Sequence, residues 1–485
     1  MRYDYLIIGS GVSGLTSAAV LASEGYRVAL IEKSSRIAPL LRGFSRRGVY
    51  FDTGFHYSGG LTKGGPFDTF LRYLGLADRL QTTSFDHEGF DVVRTSGRTD
   101  FAYPVGPERL RERLVQEFPA EAKAIDSYLA EVRQVCTALP YLDMETGFDG
   151  PGYFAGLNGA SLRQVLDRLT GNAALKRLLC VHTLLYGVPP EEVPFTLHAA
   201  IVGPYYQSVH GLKGGGGSLV TAFEGRLAEL GVDIFCGRGA RDILFSDAGT
   251  LQGVRLEDGD VIEGTGCVAT MHPTRLLGMV PEGVFRPVYH RRLARLEDTS
   301  SAFILYALCD GVPDFLRGRN LFLLDEEGCL QEQTIYLTAA EASAGGAGGF
   351  IAICADSPDA TRQWGGSTTG RRADSYGEYK QSTAAKLLRR IESSCPELSG
   401  RVDVVETATP LTMRDYVHAP SGALYGVKHK VGQYNPMAQT RAKNLFLAGQ
   451  ATASPGVMGG MLSGFLACET IVGHDRLRNK VKACR

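Results

Sequence analysis

The first 33 residues constrain the fold more than any other part of this chain. A short apolar run at residues 5–8 ends in the glycine-rich segment GSGVSG at residues 9–14. A stretch rich in Ala and Leu follows, closes at Gly25, and leads into a second apolar run that ends on Glu32. This order of strand, glycine turn, helix, strand and acid is typical of a dinucleotide-binding βαβ unit.

Each part of this unit has a physical role toward a dinucleotide. The first glycine permits the tight turn, the second lets the backbone approach a pyrophosphate, and the third lets the helix pack closely on the sheet. The free N–H groups of the helix N-terminus then face the phosphates, and the acid accepts hydrogen bonds from ribose hydroxyls. An acid at this position favours FAD or NAD over NADP. The predicted contacts are Gly9, Gly11, Val12, Ser13, Gly14, Glu32 and Lys33.

Composition excludes several other classes of protein. The chain has 485 residues, enough for about two or three domain-sized cores. Its formal net charge is −1 and no polybasic block stands out, so we expect no nucleic-acid partner. The ten cysteines are scattered without CxxC or Cys/His ligand spacing, which predicts reduced thiols, a cytoplasmic protein and no metal site. The first strand begins almost at Met1 and no apolar run approaches ~20 residues, so we expect neither a signal peptide nor a membrane span, while peripheral membrane contact stays open.

A second motif, FDTGFHYSGG, occupies residues 51–60. It resembles the FDTG-H-Y-x-G-G segment of the phytoene desaturase, carotenoid isomerase and retinol saturase group of FAD-dependent oxidoreductases. The resemblance implies that Asp52, Thr53 and Gly54 contact the cofactor. It also makes His56 and Tyr57, which would lie near the flavin face, the candidate catalytic residues.

The loop before this motif departs from the family pattern. Relatives usually carry a glycine pair there, whereas Ala38 and Pro39 occupy those positions when residues are counted back without gaps. The departure questions how closely the backbone approaches the flavin. Arg42, in the same loop, is a candidate for supplying charge to a phosphate.

The C-terminal part resembles the retinol saturase branch in particular. The segments TPLT at 409–412, GALYG at 422–426 and LAGQ at 447–450 occur in that order, and PGVMGG at 455–460 opens a helix. The resemblance places Gly449 and Gln450 beside the ribityl chain. It directs the backbone of Gly456, Val457 and Met458 at the pyrimidine end of the isoalloxazine, and it lays the backbone of Ala240 against the adenine.

The middle of the chain matches this family only in layout. Residues 67–206 have mainly helical patterns, with a capping box at Ser161–Gln164, and residues from about 272 to 407 are rich in strand patterns. We therefore predict an α/β protein with a discontinuous Rossmann-like FAD-binding domain (1–66, 207–275 and 425–485). The second predicted domain of the chain is a mixed α+β substrate domain (67–206 and 276–424), as in the amine oxidase and phytoene desaturase fold. Gly214 to Gly217 precede a helix but lack the Lys-Ser/Thr ending of a P-loop.

The resemblance favours an FAD-dependent oxidoreductase that desaturates, saturates or isomerises an apolar polyene or isoprenoid-like substrate. A nicotinamide nucleotide or a quinone would serve as the electron partner. Two alternatives stay open: a flavin amine oxidase of the same fold, and a non-catalytic prenyl- or lipid-binding protein, which the loss of the glycine pair keeps under consideration. The absence of a nucleophile triad or carboxylate pair agrees with chemistry done by the cofactor.

Overall fold

The computed structural model describes residues 2–145, 159–325, 334–341 and 348–485. Two large sheets organise these residues. The first sheet has strand order β10-β2-β1-β13-β12-β11, with β19 paired to β13. Its strands are β1 (Tyr3–Ile8), β2 (Val28–Ile31), β10 (Asp233–Phe235), β11 (Ala240–Phe245), β12 (Leu251–Leu256), β13 (Val261–Ala269) and β19 (Leu445–Leu447).

The predicted βαβ unit lies at the centre of the first sheet. Strand β1 pairs in parallel with β2 and β13, and helix α1 (Val12–Ser23) connects β1 to β2. All four residues of β2 are buried, as expected for a parallel strand covered on both faces. A Cβ atom built on Gly14 would lie 2.0 Å from the carbonyl oxygen of Gly9, so only glycine lets α1 lie this close to the turn.

The second sheet has the order β18-β14-β17-β16-β15-β7-β8. It is antiparallel except for the β15–β7 pair, which is parallel. Its strands are β7 (Asp91–Thr95), β8 (Phe101–Tyr103), β14 (Ser301–Cys309), β15 (Asn320–Leu324), β16 (Ile335–Glu341), β17 (Gly348–Asp356) and β18 (Asp403–Ala408). The remaining strands form two small sheets: β3 (Phe44–Arg46) with β4 (Val49–Phe51), and β5 (Ser58–Gly59), β9 (Val209–Leu212) and β6 (Thr82–Ser84).

Helices cover both sheets. Those before residue 230 are α2 (Pro66–Leu74), α3 (Pro107–Glu117), α4 (Ala122–Ala138), α5 (Leu162–Leu169), α6 (Ala173–Cys180), α7 (Phe195–Gln207) and α8 (Gly215–Glu229). Those after it are α9 (Pro273–Leu277), α10 (Pro287–Ala294), α11 (Asp374–Ser394), α12 (Pro410–Val417), α13 (Gly456–Val472) and α14 (His474–Lys482). A helix able to span a bilayer is absent from the described parts of the chain.

The predicted fold class, a Rossmann-like unit beside a mixed α+β region, is confirmed by this architecture. The capping box at Ser161 and Gln164 is present at the start of α5. The region 67–206 is less purely helical than we predicted, because β7 and β8 complete the second sheet through a pairing of β7 with β15. That pairing joins residues more than 200 positions apart, which a local sequence pattern does not reveal. The domain bounds stay a prediction, because the assignment of strands to two sheets does not define the residues at which one domain ends and the next begins.

Candidate functional site

One cavity of about 750 Å³ runs from the first sheet to the second. At one end it is lined by the residues that directly follow the parallel strands β1, β2, β13 and β19. Ligands of open α/β sheets bind at this carboxyl edge of the strands. At the other end the lining comes from the second sheet and from α7. The cavity therefore joins a nucleotide-type site to a separate chamber.

Most of the predicted site residues line this cavity. They are Gly9, Gly11, Val12, Ser13, Glu32, Lys33, Thr53, Gly54, His56, Tyr57, Ala240, Gly449, Gln450, Gly456, Val457 and Met458. Gly14, Arg42 and Asp52 lie outside the lining. The fold thus brings together residues from the two ends of the chain and from β11.

Glu32 holds the nucleotide end together through its carboxylate. One oxygen accepts hydrogen bonds from the backbone N–H and the hydroxyl of Ser10, and the other accepts from the N–H of Ser34 at 2.7 Å. The Ser10 hydroxyl in turn accepts the N–H of Ala38 at 2.9 Å. Ser10 occupies a variable position of the glycine motif, so the sequence pattern did not identify it. It links the glycine turn to the loop that departs from the family pattern.

The backbone around this end fits a dinucleotide cofactor. A Cβ atom added to Gly11 would meet no atom of the described residues within 4 Å, so the space that a pyrophosphate requires is open there. Gly11 also caps α1, which directs the first N–H groups of the helix at this space. Ala38 has a φ of 50°, the left-handed conformation that glycine adopts readily. The loop therefore keeps a glycine-like backbone without the glycine.

The carboxylate of Asp52 binds backbone N–H groups and does not line the cavity. Asp52 is buried, and its carboxylate accepts N–H groups from Thr53, Phe55 and, at 2.7 Å, Gly216 in the first turn of α8. Burial raises the pKa of this carboxyl to about 7, against the opposing effect of these N–H groups. Arg42 has a buried Nε without a hydrogen-bond partner among the described residues, and burial lowers the pKa of its guanidinium.

The opposite wall of the nucleotide end is built by α13 and the segment before it. The side-chain oxygen of Gln450 lies 3.3 Å from the N–H of Gly456, at the start of α13. His429 donates a hydrogen bond from Nε2 to the Gln450 carbonyl at 2.6 Å. These two contacts fix the turn between β19 and α13. His429 was missed by sequence reasoning, since an isolated histidine in a loop carries no motif.

Helix α13 crosses α1 at very short range. A Cβ on Gly460 would lie 2.5 Å from Val12 Cγ1, and one on Gly464 would lie 2.9 Å from the Ser13 carbonyl oxygen. The hydroxyl of Ser463 accepts the N–H of Gly449 at 2.8 Å. The N-termini of both helices therefore reach the same cavity, as binding of a phosphate group and of an electron-rich ring would require.

The second chamber is apolar and aromatic. His56 lies 6.0 Å from Tyr336 between ring centroids, and Tyr57 lies 5.1 Å from Tyr205. Burial lowers the pKa of His56 to about 4, so its imidazole is neutral at pH 7. Sequence analysis missed most of this lining, because its residues come from separate elements: Leu184, Leu185, Leu197, Ile201, Tyr205, Phe322, Tyr336, Ile353 and Tyr425.

The hydroxyl of Tyr57 points away from the cavity. It donates a hydrogen bond to Asp91 Oδ2 at 2.9 Å, and His182 Nε2 lies at the same distance from that oxygen. Asn320 donates to Asp91 Oδ1 at 2.8 Å. Asp91, His182 and Asn320 are buried and lie outside the cavity lining. The ring of Tyr57 therefore lines the chamber, while its hydroxyl is hydrogen-bonded in the buried network of Asp91, His182 and Asn320.

The profile of the family described as flavin containing amine oxidoreductase matches residues 12–472. The chain is 24% identical to all-trans-retinol 13,14-reductase of Macaca fascicularis, over 99% of this chain and 87% of that protein. It is 24% identical to 4,4'-diapolycopene oxygenase of Methylomonas sp, over 96% of this chain and 97% of that protein. An oxidoreductase structure from Methanosarcina mazei superposes with a TM-score of 0.72 at 16% identity, covering 97% of this chain and 100% of that one, which shows a shared fold.

Proposed function

Because this chain belongs to the flavin containing amine oxidoreductase family, we propose that it uses FAD to change a C–C or C=C bond of an apolar polyene or isoprenoid-like substrate. When bound, FAD supplies two-electron hydride exchange, which is the difficult part of the chemistry. The relatives named above, a retinol reductase and a diapolycopene oxygenase, support this substrate class.

One observation carries the proposal, namely that the cavity continues from the nucleotide end into a chamber to which the described residues contribute no carboxylate. Glu32 and Glu257 are the acidic side chains among the lining residues. Both belong to the nucleotide end, because Glu32 follows β2 and Glu257 forms an ion pair with Lys33. A long apolar substrate gains from such a lining, because its surface leaves water without leaving polar groups unpaired.

The same observation disfavours the amine oxidase alternative. A small cationic substrate would be best held by a carboxylate or by several aromatic faces. Aromatic faces are present, but Asp91, the acid that accepts a hydrogen bond from Tyr57, also has His182 and Asn320 as partners and lies outside the cavity lining. The proposal therefore assigns the aromatic rings to packing against a polyene.

The chain's own groups would position the reactants. The Glu32–Ser10–Ala38 network holds the glycine turn and the neighbouring loop in place. The aromatic side chains exclude water from the reacting bond. His56 lines the cavity as a neutral imidazole, and its unprotonated ring nitrogen is the group that we assign to accepting a proton from a substrate carbon.

The first experiment is the visible absorbance spectrum of the purified protein, with identification of the cofactor released on denaturation. We expect a flavin spectrum and released FAD. A colourless protein that takes up no added FAD would refute the proposal and favour the non-catalytic prenyl- or lipid-binding alternative.

A second experiment tests the substrate class. The flavin is reduced under anaerobic conditions, and retinol, a carotenoid or a small amine such as putrescine is added in turn. We expect a polyene either to reoxidise the reduced flavin and yield a product with a shortened conjugated system, or to reduce the oxidised flavin and yield a product with a lengthened one. Hydrogen peroxide formation from amines by the oxidised enzyme, without any reaction with polyenes, would support an amine oxidase instead.

We also propose a nicotinamide nucleotide or a quinone as the electron partner, since two-electron exchange at a C=C bond requires a donor or an acceptor. Stopped-flow reduction by NADH and NADPH, and reoxidation by a soluble quinone, test this directly. Flavin that responds to none of the three would show that the electron partner belongs to another class.

A further inference from the structure

A face formed by α10 and the loop beside it differs from the rest of the protein surface. We define this α10 face as residues 286–297 and 428–443. The loop touches the end of α10 through the 2.6 Å ion pair of Lys430 with Glu297, and Gln433 accepts the backbone N–H of Glu297. Near the start of α10, Phe285 and Tyr289 pack in one cluster with Ala442. The loop therefore runs alongside the helix.

The α10 face concentrates positive charge. Its exposed cations are Arg286, Arg291, Arg292, Arg295, Arg441 and Lys443. Within the described residues these six side chains form no ion pair, whereas most other arginines of the protein do. The acid on this face, Glu297, is paired with Lys430. The protein as a whole has a formal net charge of −1, so this charge is strongly localised.

The same face exposes large apolar side chains. The described residues expose seven of them, and four lie here: Val288, Val431, Tyr434 and Met437. Val288 is 71% exposed and Tyr434 is 65% exposed, although burial of such side chains is normally favourable. Scattered apolar residues need no explanation, but four on one basic face indicate a contact with an apolar phase.

We propose that the α10 face docks this protein onto an anionic lipid bilayer. The six cations would lie against anionic headgroups, and Val288, Tyr434 and Met437 would insert at the headgroup boundary. A nucleic acid would attract the cations but would offer no apolar phase for Val288, Tyr434 and Met437. A lipid bilayer offers both, so we favour the bilayer. Sequence reasoning missed this face, because its cations come from two segments about 150 residues apart.

One hydrogen bond connects the α10 face to the proposed site. The loop of the α10 face carries His429, whose hydrogen bond holds the Gln450 carbonyl in the cavity wall. The docking proposal does not depend on the proposed chemistry, because it rests on charge and exposure alone.

The test is co-sedimentation of the holoenzyme with vesicles of phosphatidylcholine alone and of phosphatidylcholine with phosphatidylglycerol. We expect binding to the anionic vesicles only, and binding that weakens as salt is added. Arg291→Gln/Lys443→Gln should weaken binding about five-fold for each charge removed. Tyr434→Ser/Met437→Ser should weaken it at all salt concentrations.

A matched control removes two cations elsewhere. Lys386→Gln/Arg389→Gln changes the same charge on the exposed side of α11 and should bind anionic vesicles as the wild type does. The flavin spectrum and the thermal midpoint verify that each variant is folded. The proposal is overturned if the wild type ignores anionic vesicles, or if the α11 variant loses as much binding. It is also overturned if Tyr434→Ser/Met437→Ser binds anionic vesicles normally, a result that would indicate purely electrostatic adsorption without insertion.

Discussion

At the scale of single residues, Ala38 decides whether the altered loop still accepts a cofactor. Its left-handed φ of 50° costs a non-glycine residue about 1–2 kcal/mol. Ala38→Gly would relieve this strain but lose a buried methyl group and gain unfolded-chain entropy, so we expect the free energy of unfolding to change by less than about 1 kcal/mol. Ala38→Val should lower both stability and flavin content, because a branched side chain tolerates this φ poorly.

The ratio of flavin to protein absorbance and the thermal midpoint measure both variants. If Ala38→Val retained full flavin content, the loop would not need the backbone conformation that we assign to it.

Tyr57 and His56 are neighbours with different expected roles. Tyr57→Phe removes a hydrogen bond to the buried Asp91 carboxylate, which should cost about 1–3 kcal/mol of stability. It should leave turnover nearly unchanged, because the hydroxyl lies outside the cavity. His56→Ala should instead lower kcat by about 100-fold or more if the ring transfers a proton. Thermal denaturation and steady-state kinetics of both variants test this contrast, and equal losses of kcat would contradict it.

At the scale of elements, substitutions at two glycines of the βαβ unit should have different effects, one on folding and the other on cofactor binding. Gly14→Ala should destabilise the protein strongly, because its Cβ would lie 2.0 Å from the Gly9 carbonyl oxygen between β1 and α1. The added methyl group of Gly11→Ala has no neighbour within 4 Å in the described part of the chain, so this change should leave the apo-protein's thermal midpoint unchanged. It should nevertheless weaken FAD binding, because the methyl group enters the space for the pyrophosphate. Calorimetry of apo-protein and FAD titration distinguish the two effects, and a stable, FAD-binding Gly14→Ala protein would contradict this interpretation.

Helix α7 carries a buried histidine that makes stability depend on pH. His198 lies 2.8 Å from the hydroxyls of Tyr128 and Tyr186, and burial lowers the pKa of its ring to about 3. Between pH 6.5 and about 3 the unfolded chain binds a proton at this residue and the folded chain does not, so stability falls as the pH falls.

His198→Gln removes this titration. The decrease in the free energy of unfolding between pH 6 and pH 4 should become shallower by about 1.4 kcal/mol per pH unit. Denaturant melts across this range measure the slope. A variant whose slope equals that of the wild type would show that the pKa of His198 is close to its ordinary value.

At the scale of the whole molecule, the sequence predicted the nucleotide end better than the chamber. Gly9, Gly14 and Glu32 act locally, so spacing along the chain revealed the βαβ unit. The network of Asp91, His182 and Asn320 joins three segments separated by about 90 to 230 residues, and the chamber walls come from equally distant elements. Such sites form only when distant segments pack together, and no local pattern in a single sequence shows which segments will meet. The capping role of Asp52 at α8 was missed for the same reason.

A brace between the two sheets depends on tertiary packing in the same way. His272, just after β13, lies 2.8 Å from Asp298 Oδ1 through its Nε2, and Ser421 donates a hydrogen bond to Asp298 Oδ2. Burial alone would raise the pKa of Asp298, but the hydrogen bond from His272 holds it below the usual range. Asp298 thus ties together the segment that leaves the first sheet, the segment that enters β14, and the segment that returns after α12.

Asp298→Ala should therefore lower stability by about 1–3 kcal/mol, because two partly buried polar groups, His272 and Ser421, lose their partner. It should also raise KM more than it lowers kcat, since two of the three segments that the brace joins, at Ser300 and at residues 423–427, line the cavity toward the second sheet, and only the His272 segment lies at the nucleotide end. Glu297→Gln is the matched control: its exposed ion pair with Lys430 should contribute at most about 1 kcal/mol and leave KM unchanged. If Asp298→Ala lost flavin while KM for substrate stayed constant, the brace would position the cofactor and not the chamber, and the two ends of the cavity would not be independently supported.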